Sequence, residues 1–121
     1  YTNWCGYCKK MDRETFTNKD VVNYINANFH PVKLNAEMKK SINWNGHDFD
    51  WVEGGRNGVH TLAYALLDGR MGYPAFVYLN ESMERIMISP GYKQADDVMK
   101  ELIFAKDKHY KSTSWEAYKK Q

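Results

Sequence analysis

Cysteine is nearly absent from this chain, with two in 121 residues. That excludes a scaffold of disulfide-linked loops, which needs more cysteines spread more widely. Long apolar runs are missing too; none approaches the ~20 residues a membrane-spanning helix requires. Neither sign of charge dominates. The net charge is +2 with acids and bases interspersed, and no basic block points to nucleic acid or an anionic membrane. Proline occurs three times, so Pro31, Pro74 and Pro90 each read as an element boundary. No signal peptide is recognisable. The chain opens abruptly beside its cysteines, which leaves room for a leader and a first strand before Tyr1.

What is present suits one globular domain. Hydrophobic residues make up 43%, enough for a core, and aromatics reach 15% with several in polar stretches, which places some of them on surfaces.

The two cysteines fall together in Trp4-Cys5-Gly6-Tyr7-Cys8-Lys9. Two thiols at this spacing can close a disulfide across the first turn of a helix. The sulfur nearer the helix start meets unpaired backbone N–H groups and the positive end of the helix dipole. A thiolate is stabilised there. This assigns Cys5 as the attacking thiol and Cys8 as the resolving one. Two rival readings stand beside it: half of a soft-metal site completed by other ligands, and a pair that only locks the fold.

Helical spacing continues through Met11, Thr15 and Phe16, with Lys9 and Lys10 on a solvated face. Thr17 with Asp20 resembles a capping box for a second helix with Val21, Val22, Ile25 and Phe29 inward. Val32 and Leu34 alternate as a strand after Pro31. Residues 38–58 mix turn signals (Asn45-Gly46, Gly54-Gly55) with Trp44, Phe49 and Trp51, and read as an excursion packed by its own rings. Val59, Leu62, Ala63, Leu66 and Leu67 form the cleanest helical stripe, ended by Asp68-Gly69. Gly72-Tyr73-Pro74 leads into a strand, Ala75–Leu79, which a return strand, Arg85–Ile88, pairs as a hairpin. A long helix follows from Ala95 to Lys106, and a short one near Thr113-Ser114-Trp115-Glu116. His30, His47, His60 and His109 lack mutual metal-ligand spacing, and no metal site is expected.

This order, with the cysteine motif and the distant Tyr73-Pro74 before an apolar strand, resembles the thioredoxin superfamily over nearly the whole chain. Residues 4–35 are similar to its bacterial, periplasmic branch. The resemblance implies an α/β fold: a central mixed β-sheet flanked by helices, its first strand missing or truncated, with an insertion before the helix that precedes a cis-proline. It implies one domain over residues 1–121, with an insertion loop at 38–58 and a C-terminal extension at 107–121. It implies a thiol–disulfide oxidoreductase, a reductase or isomerase of protein disulfides, in which Cys5 attacks and Cys8 resolves from a buried position behind it. Pro74 would be cis, Tyr73 would offer backbone to substrate, and Trp4 and Tyr7 would shape the rim. Implied partners are protein thiols and disulfides plus an upstream redox partner. No cofactor beyond the Cys5–Cys8 pair is implied, and the setting would be periplasmic or otherwise exported, the cytoplasm being the alternative. Two departures stand out. Tyr7 occupies the place of thioredoxin's proline, and the strand that carries thioredoxin's buried acid is not in this chain.

Overall fold

A computed structural model describes all residues, Tyr1–Gln121. The chain is α/β, built of helices and small antiparallel sheets. It divides into two compact units, one of Tyr1–Cys8 with Lys33–Gly91, the other of Lys9–Val32 with Tyr92–Gln121.

The first unit is made of turns and hairpins. Strands β1 (Ile42–Trp44) and β2 (His47–Phe49) pair antiparallel, with Trp44 opposite His47. The two residues between them, Asn45 and Gly46, have φ of 54° and 83°. A two-residue hairpin of this type needs positive φ at both positions, which Asn-Gly supplies at least cost. Strands β3 (Trp51–Val52) and β4 (Val59–His60) form a second hairpin. The 38–58 excursion is thus two hairpins rather than an irregular loop.

Helix α3, Thr61–Leu66, is shorter than its apolar stripe predicts. Val59 and His60 go to β4 instead, because His60 caps the helix: its Nδ1 accepts the Leu62 N–H at 3.2 Å. The His60 Nε2 lies 2.9 Å from the Lys40 carbonyl, so a wholly buried ring is satisfied at both nitrogens. Gly69, at φ 76°, ends the helix by donating to the Tyr64 carbonyl at 2.9 Å. Strands β5 (Ala75–Leu79) and β6 (Arg85–Pro90) make the third hairpin, as the sequence predicts. At its base the Gly91 N–H donates to the Pro74 carbonyl at 2.8 Å. Arg85 forks onto Asp68 at 3.0 and 2.8 Å and reaches the Leu66 carbonyl, an otherwise open acceptor at the end of α3.

Three two-stranded antiparallel sheets therefore stand where the sequence predicts one central mixed sheet. The missing piece is the strand expected at Val32–Leu34. This stretch forms no strand: the Tyr1 amino group donates to the Leu34 carbonyl at 3.0 Å, and the Ala36 N–H to the Tyr1 carbonyl at 2.8 Å. Two hydrogen bonds to a single residue do not make a ladder, and Val32 is left 85% exposed.

The second unit is helical. Helix α1, Gly6–Glu14, begins in the first unit and carries the chain into the second. Helix α2, Lys19–Asn28, starts at Asn18 rather than Thr17. The Asn18 side chain accepts the Asp20 and Val21 N–H groups at 3.0 and 3.2 Å, while the Thr17 hydroxyl turns back to the Arg13 carbonyl. Helix α2 stops before Pro31, which disfavours helical geometry in the residue preceding it. Helix α4, Ala95–Lys106, buries Val98, Glu101, Leu102, Phe104 and Ala105. A short helix, α5, Trp115–Tyr118, is capped by Ser114. The Phe104 ring meets Trp115 at 5.3 Å and Tyr118 at 5.2 Å, so the C-terminal stretch is fastened by aromatic contacts, one edge-on and one tilted.

Candidate functional site

The site is built at the start of α1. A turn closed by the Cys5 N–H and the Thr2 carbonyl, 3.4 Å apart, delivers the chain to Cys5, which immediately precedes the first helical residue. That is the position from which a side chain caps a helix. The Cys5 Sγ does so, accepting the Cys8 N–H at 3.0 Å. No acidic side chain occupies the first turn of α1 to compete for those N–H groups. Local sequence alone thus places one sulfur where helix-end donors can solvate negative charge.

Cys5 and Cys8 are joined as a disulfide, their Cα atoms 5.3 Å apart. Both are buried, Cys5 at 3% and Cys8 at 7% exposure. This corrects the expectation that Cys8 alone lies buried behind an open Cys5. The reason is the cap itself, which folds the Cys5 sulfur back over the first helical turn.

The rim residues separate into two kinds. Trp4 and Tyr7 are 60% and 62% exposed. Tyr73 is half-buried and Pro74 is buried. The structure brings the two distant motifs together, since the Trp4 and Tyr73 rings meet edge to face with centroids 5.9 Å apart. The Tyr73–Pro74 peptide bond is cis.

One neighbour carried no signal in the sequence. Glu37, 33 residues from Trp4, accepts the indole Nε1–H at 3.0 Å on both carboxylate oxygens. It also bears on Tyr73, whose phenol is pushed above its ordinary value of 10.0 by burial first and the Glu37 charge second. Tyr73 therefore keeps its proton to a higher pH than a free phenol. A second residue that sequence reasoning passed over is Thr2. It is 2% exposed, and its hydroxyl has no hydrogen-bond partner. No signal short of the fold marks either residue, because each matters through what lies beside it.

No group of three or more His, Cys, Asp or Glu side chains is placed to hold a metal ion. No helix is long and apolar enough to cross a membrane.

A family model described as a thioredoxin-like domain matches residues 1–106. No curated protein and no solved structure gives a match.

Proposed function

The chain belongs to the thioredoxin-like family, and on that premise we propose that it is a thiol–disulfide oxidoreductase acting on protein substrates. The observation that carries this reading is the Cys5–Cys8 disulfide at the start of α1, with the Cys5 sulfur already accepting a helix N–H. On reduction, the same donor and the helix dipole favour the thiolate at Cys5 over that at Cys8.

In the reducing direction, the Cys5 thiolate attacks one sulfur of a substrate disulfide. That S–S bond breaks, and the second substrate sulfur leaves as a thiolate and takes a proton. Cys8, deprotonated, then attacks the Cys5 sulfur of the mixed disulfide. The Cys5–Cys8 bond closes and the first substrate sulfur leaves. Two electrons have passed from the pair to the substrate, and a dithiol of an upstream redox partner restores the pair by the same exchange. In isomerisation a different substrate thiolate attacks the mixed disulfide, a new substrate disulfide forms, and Cys5 leaves as the thiolate with no net transfer of electrons. The cysteine pair carries the electrons, and no other cofactor enters the proposal.

Trp4, Tyr7 and Tyr73 form the rim that a substrate chain meets, and the backbone beside Pro74 offers it hydrogen bonds as an added strand. The small exposed area of Cys5 suits a reaction that needs one line of approach to a sulfur. A periplasmic or otherwise exported setting belongs to the same proposal, since protein disulfides persist there.

Insulin reduction coupled to a thiol reductant tests this. Wild type is expected to turn over, Cys5→Ser to fall to the uncatalysed rate, and Cys8→Ser to accumulate a mixed disulfide visible by mass. Turnover that survives Cys5→Ser removes the proposal.

A further inference from the structure

The far end of the 38–58 excursion is a held shape. The Gly58 N–H donates to the Gly54 carbonyl at 2.8 Å, and the Trp51 indole Nε1–H donates to the Asn57 carbonyl at 3.0 Å. The Trp51 ring also occupies the space a side chain at position 58 would need; a Cβ there would lie 2.3 Å from the ring. With φ of 70°, Gly58 meets both demands of this site, left-handed backbone and no side chain.

A cleft of about 310 Å³ opens against this loop. That is the small end of the range for ligand pockets (~300–1,000 Å³), room for a large side chain and its backbone. Val59, Tyr64, Met71 and Tyr73 give it mostly apolar walls, and Glu37 and Arg56 bring one charge of each sign. Two of these residues also belong to the redox site. Tyr73 packs on Trp4 and precedes Pro74, and Glu37 holds the Trp4 indole. The cleft is therefore continuous with the rim beside Cys5.

Resting on the exchange activity proposed above, we propose that this cleft is a specificity pocket. Its occupant is a bulky apolar side chain of the substrate protein, on the segment flanking the reacting cysteine. In an extended chain, residues two apart point the same way and lie about 7 Å from each other. A chain whose cysteine meets Cys5 beside Trp4 can therefore turn its second neighbour to the same side, toward the cleft that Tyr73 and Glu37 share with the rim. A charged occupant is disfavoured. Glu37, the one wall anion, already accepts from Trp4, which leaves a basic occupant without a partner, and an acidic one would trade its hydration for the exposed Arg56 among mostly apolar walls. The apolar walls reward leucine- or phenylalanine-sized groups. The loop is pre-formed, so its ordering costs little on binding.

The test uses the reduced full chain and two synthetic peptides, each closed by one internal disulfide. They differ only in carrying Leu or Ala two places before and after one cysteine. The readout is the ratio of their kcat/KM values, from which the fraction of active enzyme cancels. Wild type is expected to prefer Leu by about 10-fold to 100-fold, the range for filling an apolar pocket. Met71→Ala and, separately, Tyr64→Ala are expected to bring the ratio below about 3-fold on the same scale. Equal rates for the two peptides with wild type, or a ratio untouched by both substitutions, overturns the pocket while leaving the exchange activity standing. Failure of wild type to reduce either peptide removes the exchange reading, and the pocket with it.

Discussion

All eight glycines lie in the unit formed by Tyr1–Cys8 and Lys33–Gly91, and none in the unit formed by Lys9–Val32 and Tyr92–Gln121. Of the four other residues with positive φ, Asn45, Asp68 and Met83 are in the first unit and Lys108 in the second. The first unit is chain bent by turns: three hairpins, one six-residue helix, and a buried histidine that caps it. The second is helices that bury apolar rows, above all α4 with Val98, Leu102, Phe104 and Ala105. Both cysteines and every candidate rim residue lie in the first. Turns bring together groups remote in sequence, such as Trp4, Glu37 and Tyr73, which a straight helix cannot do. The comparison teaches that conformational cost collects where the chemistry is placed, and that the helical unit contributes stability by packing.

Four measurements break or sharpen that contrast. Phe104→Ala should cost about 3–5 kcal/mol, because it leaves a cavity among Trp115, Tyr118 and Tyr110. Urea unfolding reads it, and a loss under 1 kcal/mol would deny the helical unit its role. Gly58→Ala should cost about 1–3 kcal/mol through left-handed backbone strain, with the Trp51 ring displaced as well. Its added mark is a changed tryptophan fluorescence spectrum, and a silent substitution would show that the loop is not held.

Thr2→Val removes a buried hydroxyl that has no partner. It should gain about 1 kcal/mol, since an unsatisfied group carries its desolvation cost and an apolar one of the same shape does not. A loss instead would mean that the hydroxyl is engaged, and that the first unit holds less uncompensated cost than its turns imply.

The smallest effect is electrostatic. Tyr73 should ionise above 10.0, and Glu37→Gln should lower its pKa part of the way back, burial being the larger cause. A raised tyrosine pKa means the folded state holds the proton more tightly. The stabilisation is thus complete below the unfolded value and is lost as pH rises through the folded one. Ultraviolet titration of tyrosinate against a Tyr73→Phe control reads this directly. No movement on Glu37→Gln would place the carboxylate away from the ring.

Much of this architecture was legible beforehand. The 3.6-residue stripe at Ala95–Ile103 and the short apolar run Ala75–Leu79 between turn signals specify α4 and the first strand of the β5–β6 hairpin, because a helix that buries one face reads as periodicity and a short bounded apolar run reads as a strand. Asn45-Gly46 was visible as a turn; that it closes a hairpin follows from its two positive φ values, which the dipeptide favours but whose partner strands were too short to read. Two helix starts are decided by local competition. Asn18 outcompeted Thr17 for the helix start, and His60 took the capping role that shortened α3. In each case a side chain bonded to nearby backbone set where the helix starts.

By itself the sequence determined the cysteine pair, its position at a helix start, and the helices that bury an apolar row, since these depend on neighbours within a few residues. Only the tertiary structure decided that Val32–Leu34 would find no strand to pair with and that Glu37 would hold Trp4. Those outcomes rest on contacts between residues far apart along the chain. Periodicity and motif spacing carry no record of which distant group will arrive.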